Sequence, residues 1–335
     1  MPKLLNIEAV ILQNNTEIKK MDKNRPSLIM RISKIFLKTI IGIVAIIAIL
    51  LITTFLIHQV NSSIEADKIE DYGQKIKIFD GTMNITIDGH HPDTVVLLTG
   101  FGTASPRLDF EPLIRELDKK YTVITIEPFG YGLSSETNRE RSLNNMSEEI
   151  HEVVKQLNLN HFILMGHSIA GLYSLAYINN YPGKAIAFVG IDTSVPTQPW
   201  PGYNSAPMDF LAKVGVMRAF LKFFGNEKPK EESEVHRFEQ ERMITMKVTG
   251  NNTLHREATS LSNSFKDAQK LSFPKDLPVL LFADENSAVK GWTELHQAQA
   301  NSVDKGKLIL LPGSHYLHHT QSKRIVAELE SFLGK

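Results

Sequence analysis

No cysteine occurs anywhere in the 335 residues. Disulfide frameworks, thiolate zinc sites and cysteine nucleophiles are therefore excluded, and the composition suits an oxidising compartment. Net charge is missing as well. The 37 basic residues are matched by 37 acidic ones, so no overall field favours a nucleic-acid partner. There is no internal repeat, and no low-complexity tract apart from one apolar run. A His90-His91 pair lies in a polar loop without further ligands at metal-binding spacing, so neither a metal nor another cofactor is expected.

The apolar run fills residues 39–57, 19 positions without a charge. As a helix rising about 1.5 Å per residue it reaches roughly 28 Å, close to the hydrocarbon thickness of a bilayer. It is apolar on every side, unlike the amphipathic helix of a soluble core. Residues 1–38 before it carry Lys19, Lys20, Lys23, Arg25, Arg31, Lys34 and Lys38, whereas Glu65, Asp67, Glu70 and Asp71 follow it. That basic bias predicts a cytoplasmic N-terminus and an extracytoplasmic remainder. The long leader and the lack of a small-x-small site before Asn61 favour an uncleaved signal anchor over a removable signal peptide. Residues 58–74 then read as a polar tether, and 75–335 as the folded domain.

Within that domain strands and helices alternate. Strand-like runs occupy 75–79, 83–87, 94–99, 121–127, 185–191, 278–283 and 307–311, with another ending at Gly166. Helical patterns cover about 107–119, 143–157 and 291–300, and a last amphipathic one carries Ile325, Val326, Leu329 and Phe332. This rhythm predicts a mostly parallel sheet with both faces covered. Between about 195 and 273 it breaks. Proline-rich and charged pieces there predict a helical insertion, a lid over the sheet's C-terminal edge, where open α/β sheets place ligands.

Chemistry concentrates at Gly166-His167-Ser168-Ile169-Ala170. A buried strand stops at Gly166 and a helix begins a few residues later. Ser168 thus sits on a tight strand-to-helix turn with small residues two positions either side. Such a turn exposes the hydroxyl at a helix N-terminus, where backbone N–H groups favour a developing oxyanion. Gly100-Phe101-Gly102, after an earlier strand, permits the close backbone approach that an oxyanion loop needs.

Several segments together resemble the α/β-hydrolase superfamily over roughly residues 75–333. Residues 166–170 resemble its nucleophile elbow, with Ala170 in place of the usual second glycine. Glu127-Pro128-Phe129-Gly130-Tyr131-Gly132-Leu133-Ser134 resembles its D-x-x-G-x-G-x-S turn, with Glu for Asp. Thr99-Gly100-Phe101-Gly102 resembles its oxyanion loop, with Thr for His, and Gly313-Ser314-His315-Tyr316 its histidine loop. The anchor also resembles that of membrane-tethered bacterial members.

The resemblance implies an eight-stranded α/β-hydrolase fold and a serine hydrolase. Ser168 would be the nucleophile and His315 the base, with the backbone N–H groups of Phe101 and Ile169 forming the oxyanion hole. His167, His318 and His319 are other histidines nearby, the last two expected to open the final helix. For the acid, the position usual in the family falls on Asn286 or Ser287, neither acidic. Asp192, at the end of the sixth strand, is preferred; Glu285 and Asp284 are the alternatives. The expected activity is hydrolysis of a carboxylic ester, lipid or related acyl substrate through an acyl-enzyme, with the membrane engaged through residues 39–57. A proline-specific type of aminopeptidase, a cofactor-free haloperoxidase-like enzyme and a non-catalytic binding protein on the same scaffold remain alternatives.

Overall fold

The computed structural model describes residues 28–224 and 231–335, together with Gln13. The rest of the basic segment before residue 28, and the 225–230 stretch of the expected insertion, lie outside the described residues. The chain divides after Leu56 into two compact units.

The first unit is described as part of helix α1, Leu28–Ala66. It is long and apolar enough to cross a membrane, with a mean hydropathy of 3.1 over its most apolar stretch. Its large side chains, among them Phe36, Ile43, Ile46, Ile49 and Leu50, are exposed.

The second unit opens with the last turns of α1, which corrects the expected tether at 58–74: the helix persists to Ala66. His58, Ser62 and Glu65 recur at helical spacing on one face. The Arg218 guanidinium spans them, donating to His58 Nδ1 at 3.3 Å, Ser62 Oγ at 3.1 Å and Glu65 Oε1 at 2.7 Å. Arg242 adds a 2.9 Å bond to the same oxygen. Contacts more than 150 residues away in sequence extend the helix.

Eight strands follow: β1 Gln74–Ile78, β2 Gly81–Asp88, β3 Thr94–Leu98, β4 Thr122–Glu127, β5 Phe162–His167, β6 Ala185–Ile191, β7 Val279–Asp284 and β8 Gly306–Leu311. They form one sheet in the order β1-β2-β4-β3-β5-β6-β7-β8. Only β2 runs antiparallel to its neighbours β1 and β4; every other pairing is parallel. The expected 107–119 helix is instead two, α2 Pro106–Asp109 and α3 Glu111–Leu117, meeting at Phe110. Pro112 explains the break, since it lacks an N–H and its ring crowds the carbonyl four residues back. Next come α4 Leu143–Gln156 and α5 Ala170–Asn180. Between β6 and β7 lie α6 Ala206–Lys213, α7 Val216–Phe224, α8 Glu232–Val248 and α9 Asn252–Ala268. The chain ends with α10 Trp292–Asn301, α11 Leu317–Thr320 and α12 Ser322–Leu333. His318 and His319 thus belong to the separate short turn α11, not to the final helix as expected.

Strand alternation fills both faces. In β5, Phe162 and Leu164 enter the core beneath α4 and α5, whereas Ile163 and Met165 enter the one beneath α3 and α12. Such double burial explains why the central strands read as unbroken apolar runs. Strand order reverses between β3 and β5, the point at which open α/β sheets place their ligands beside the strands' C-terminal ends. Phe101 follows β3 there, and Ser168 follows β5.

Candidate active site

Between β5 and α5 the chain turns on Ser168, whose φ of 56° lies in the left-handed region, strained for a residue with a β-carbon. Surrounding hydrogen bonds hold it. Its N–H donates to the Ile191 carbonyl at 3.3 Å, and its own carbonyl accepts from Gly171 at 3.0 Å and Ser194 at 2.8 Å. A β-carbon on Gly166 would sit 3.1 Å from that of Ala170, and one on Gly100 2.9 Å from that of Ser168. Small residues at these positions let the turn close and bring the β3 loop against the serine.

His315 reaches this turn from the loop after β8. Its Nε2 lies 2.9 Å from Ser168 Oγ and its Nδ1 2.6 Å from Asp192 Oδ2. Asp192 sits just past β6 with a φ of 46°. Its other oxygen accepts from the Asp284 backbone N–H at 2.9 Å and from Trp292 Nε1 at 2.7 Å. Burial alone would push this carboxyl's pKa upward, but the bonds from His315, Asp284 and Trp292 outweigh it and hold the pKa below normal. An ionised Asp192 accepts a hydrogen bond from Nδ1–H and so keeps the proton on Nδ1, which leaves the Nε2 lone pair facing the serine hydroxyl.

The structure therefore brings Ser168, His315 and Asp192 into one hydrogen-bonded line. It does not bring the Asp284 or Glu285 side chains to His315. The Asp284 carboxylate accepts from the Asn286 N–H at 3.1 Å, and Glu285 is exposed. Ile169 follows Ser168, and Phe101 follows Gly100, which packs against Ser168; the N–H groups of both make no hydrogen bond among the described residues. Two such donors, where they converge beside a serine hydroxyl, can receive the negative oxygen of a tetrahedral intermediate.

Sequence reasoning missed several supports. Trp292 completes the cradle of Asp192 from α10, and a tryptophan at the start of the helix after β7 offers no local signal for that role. His167 is buried, with Nε2 2.9 Å from the His315 carbonyl, so it braces the histidine loop from beneath. Beside it, Asp109 binds His318 Nε2 at 2.7 Å and His319 Nε2 at 2.8 Å. These three are a set whose potential ligand atoms lie within 4.8 Å of one another. They satisfy each other directly, however, and His318 Nδ1 is buried without a partner. Metal on Nε2 would force the proton onto that orphaned atom, so the set fits a brace better than a metal centre.

Burial, with the positive fields of His318 and His315, holds the His167 pKa down to about 3 from 6.5. Below pH 6.5 the unfolded chain takes up a proton that folded His167 refuses, so stability is full above that value and falls as pH drops toward 3. This one group contributes a slope of up to about 1.4 kcal/mol per pH unit. Urea midpoints measured between pH 7 and pH 4.5 should fall more steeply for the wild type than for His167→Gln. Equal slopes would remove His167 as the source.

Comparison with known proteins agrees with this fold. Residues 93–226 match the family model described as the alpha/beta hydrolase fold. The chain is 23% identical over 315 residues to Uncharacterized protein YbdG of Bacillus subtilis (strain 168), covering 88% of this chain and 96% of that one. It is 30% identical over 111 residues to 2-(acetamidomethylene)succinate hydrolase of Mesorhizobium japonicum, which spans 33% of this chain and 39% of the relative. Among solved structures, the enol-lactonase from Burkholderia xenovorans LB400 superposes with a TM-score of 0.59 at 15% identity, over 78% of this chain and all of that one. With its single eight-stranded, mostly parallel sheet flanked by helices, the chain has the α/β-hydrolase fold, and residues 93–226 match the model of that family.

Proposed function

We propose that the protein is a membrane-anchored, extracytoplasmic serine hydrolase that cleaves a carboxylic ester, lipid or related acyl substrate. The observation that carries this reading is the unbroken line Ser168–His315–Asp192 beside the two free N–H groups of Phe101 and Ile169. Ser168 Oγ attacks the acyl carbon while His315 Nε2 takes its proton. Asp192 orients the ring and stabilises the imidazolium. The oxyanion rests on the Phe101 and Ile169 N–H groups. Collapse of the intermediate expels the alkoxide, which receives the proton from His315, and leaves Ser168 acylated. Water, activated by the same imidazole, then releases the acid.

Serine at the turn supports acyl transfer over the epoxide or haloalkane chemistry of carboxylate nucleophiles. The helical insertion acts as a lid: its Tyr203 meets Phe101 edge-on, 5.7 Å between ring centroids, and gives an acyl chain an aromatic wall beside the oxyanion loop. Relatives named as a succinate-derivative hydrolase and an enol-lactonase are consistent with acyl chemistry. The exposed apolar residues of α1 support insertion in a bilayer. The lysines and arginines before them support a cytoplasmic N-terminus.

The test uses the full chain in proteoliposomes with p-nitrophenyl esters of graded length and aminoacyl p-nitroanilides. Ester turnover that disappears in Ser168→Ala is the expected result. Turnover confined to aminoacyl substrates would favour the aminopeptidase, and no turnover of either would favour a binding protein. Carbonate washing should leave the chain in the membrane, and external protease should reach the hydrolase unit in intact cells. Release by carbonate, or protection from protease, would overturn the anchor or its orientation.

A further inference from the structure

Behind the loop that carries Phe101 lies a buried carboxylate with no part in the Ser168–His315–Asp192 line. Glu257, on α9, is 1% exposed. Each of its oxygens takes one tyrosine hydroxyl: Oε2 accepts from Tyr131 at 2.9 Å and Oε1 from Tyr173 at 2.7 Å. Among the described residues these are its hydrogen-bond partners. The nearby Arg141 directs its NH1 to Glu149 instead, at 2.9 Å to each oxygen. A carboxylate buried on so few partners is costly, and an apolar side chain would fill the space more cheaply.

The two tyrosines lead to the two sides of the site. Tyr173 stands on α5, the helix that begins just past Ser168. Tyr131 stands in the turn after β4, which Glu127 builds: its carboxylate accepts the Leu133 N–H at 2.8 Å and packs so tightly that a β-carbon on Gly132 would lie 2.0 Å from it. From that turn the Tyr131 hydroxyl, its proton committed to Glu257, accepts the Gly102 N–H at 3.2 Å.

Gly102 is the residue after Phe101. It holds a φ of 79°, and a β-carbon added there would meet nothing within 4 Å. Packing does not restrain this side of the loop. The loop's own closing bond, Thr103 N–H to the Gly100 carbonyl, is long at 3.5 Å. Flanked by two glycines, Phe101 has a permissive backbone. Its N–H is useful only if held within a few tenths of an ångström of where the oxyanion forms.

We propose that Glu257 is a positioning residue for the oxyanion hole. It locks the Tyr131 hydroxyl so that its lone pair points at Gly102, and thereby fixes the Phe101 N–H; Tyr173 references the same carboxylate to the helix behind Ser168. Burial pushes both tyrosines well above the normal phenol range, so both keep their protons across the working pH. A helix of the insertion thus sets the geometry of the oxyanion loop although it touches no reacting atom. This inference rests on the serine-hydrolase reading above.

The experiment compares wild type, Tyr131→Phe, Glu257→Gln and Tyr173→Phe as full chains, with p-nitrophenyl butyrate as substrate and phenylboronic acid as the tetrahedral mimic. In Tyr131→Phe and Glu257→Gln, kcat should fall roughly 10- to 100-fold, the scale of a small misplacement at the reacting centre. KM should stay near the wild-type value, and boronate inhibition should weaken by the same factor as kcat. Tyr173→Phe removes an equal bond from the same carboxylate but leaves Tyr131 on Gly102, so its kcat loss should be clearly smaller. Should Glu257→Gln fail to fold, Tyr131→Phe carries the test, because the ring is kept. Wild-type kcat and boronate affinity in Tyr131→Phe would overturn the proposal, as would equal losses in both tyrosine variants that track their melting temperatures. A wild type without Ser168-dependent turnover overturns the serine-hydrolase reading itself, which is a distinguishable result.

Discussion

Replacing Ser168 by alanine is expected to lower ester turnover by roughly 10⁴- to 10⁶-fold. The size of the loss follows from covalent catalysis: without Oγ there is no acyl-enzyme, and the oxyanion donors can assist only direct attack by water. Folding should be little affected. The strain at Ser168 lies in its backbone, at a φ of 56°, and alanine inherits it unchanged. The turn's restraining bonds to Ile191, Gly171 and Ser194 are all backbone bonds. Steady-state kinetics and a melting curve on the same preparation check both statements. A loss of activity that came with a collapsed melting temperature would mean that the hydroxyl holds the turn together.

The second large effect belongs to Asp192→Asn, for which turnover should drop by roughly 10⁴-fold. The amide is nearly isosteric, so the cause is the tautomer. Asp192 Oδ1 already accepts two donors, the Asp284 N–H and the Trp292 indole. In the variant those donors hold the amide oxygen, and the NH₂ is turned toward His315. Nδ1 must then accept, which puts the proton on Nε2 and leaves nothing to take the serine's proton. Asp284→Asn and Glu285→Gln should leave turnover nearly intact, since Asp284 serves Asp192 through its backbone N–H. If Glu285→Gln proved the damaging change and Asp192→Asn the mild one, the acid would belong to the end of β7.

Much of the fold was legible because strand and helix periodicities differ and the central strands are apolar on both faces. The eight strands lie within a residue or two of their expected spans. The elbow was readable for a local reason: an apolar strand, a glycine and a serine two positions before an alanine leave few alternatives. The acid was not readable in the same way. Asp192 and Asp284 end adjacent strands, β6 and β7, and choosing between them requires knowing which carboxylate turns toward the His315 loop. That depends on the left-handed backbone at Asp192 and on Trp292, one hundred residues further on. The extension of α1 to Ala66 was hidden for a similar reason. Residues 58–66 look like a polar linker until Arg218 and Arg242 lie across them. Glu257 is the extreme case, since its partners stand 126 and 84 residues away. The break at Phe110, by contrast, was available from Pro112 alone.

Catalysis as proposed requires Ser168 to form a covalent bond with an acyl-type electrophile. The most direct measurement is intact mass after treatment of the full chain with a fluorophosphonate, followed by peptide mapping. One adduct is expected, on the peptide containing Ser168, formed at a rate that falls in His315→Ala and absent in Ser168→Ala. No adduct on the wild type, or an adduct that persists when Ser168 is alanine, would contradict it.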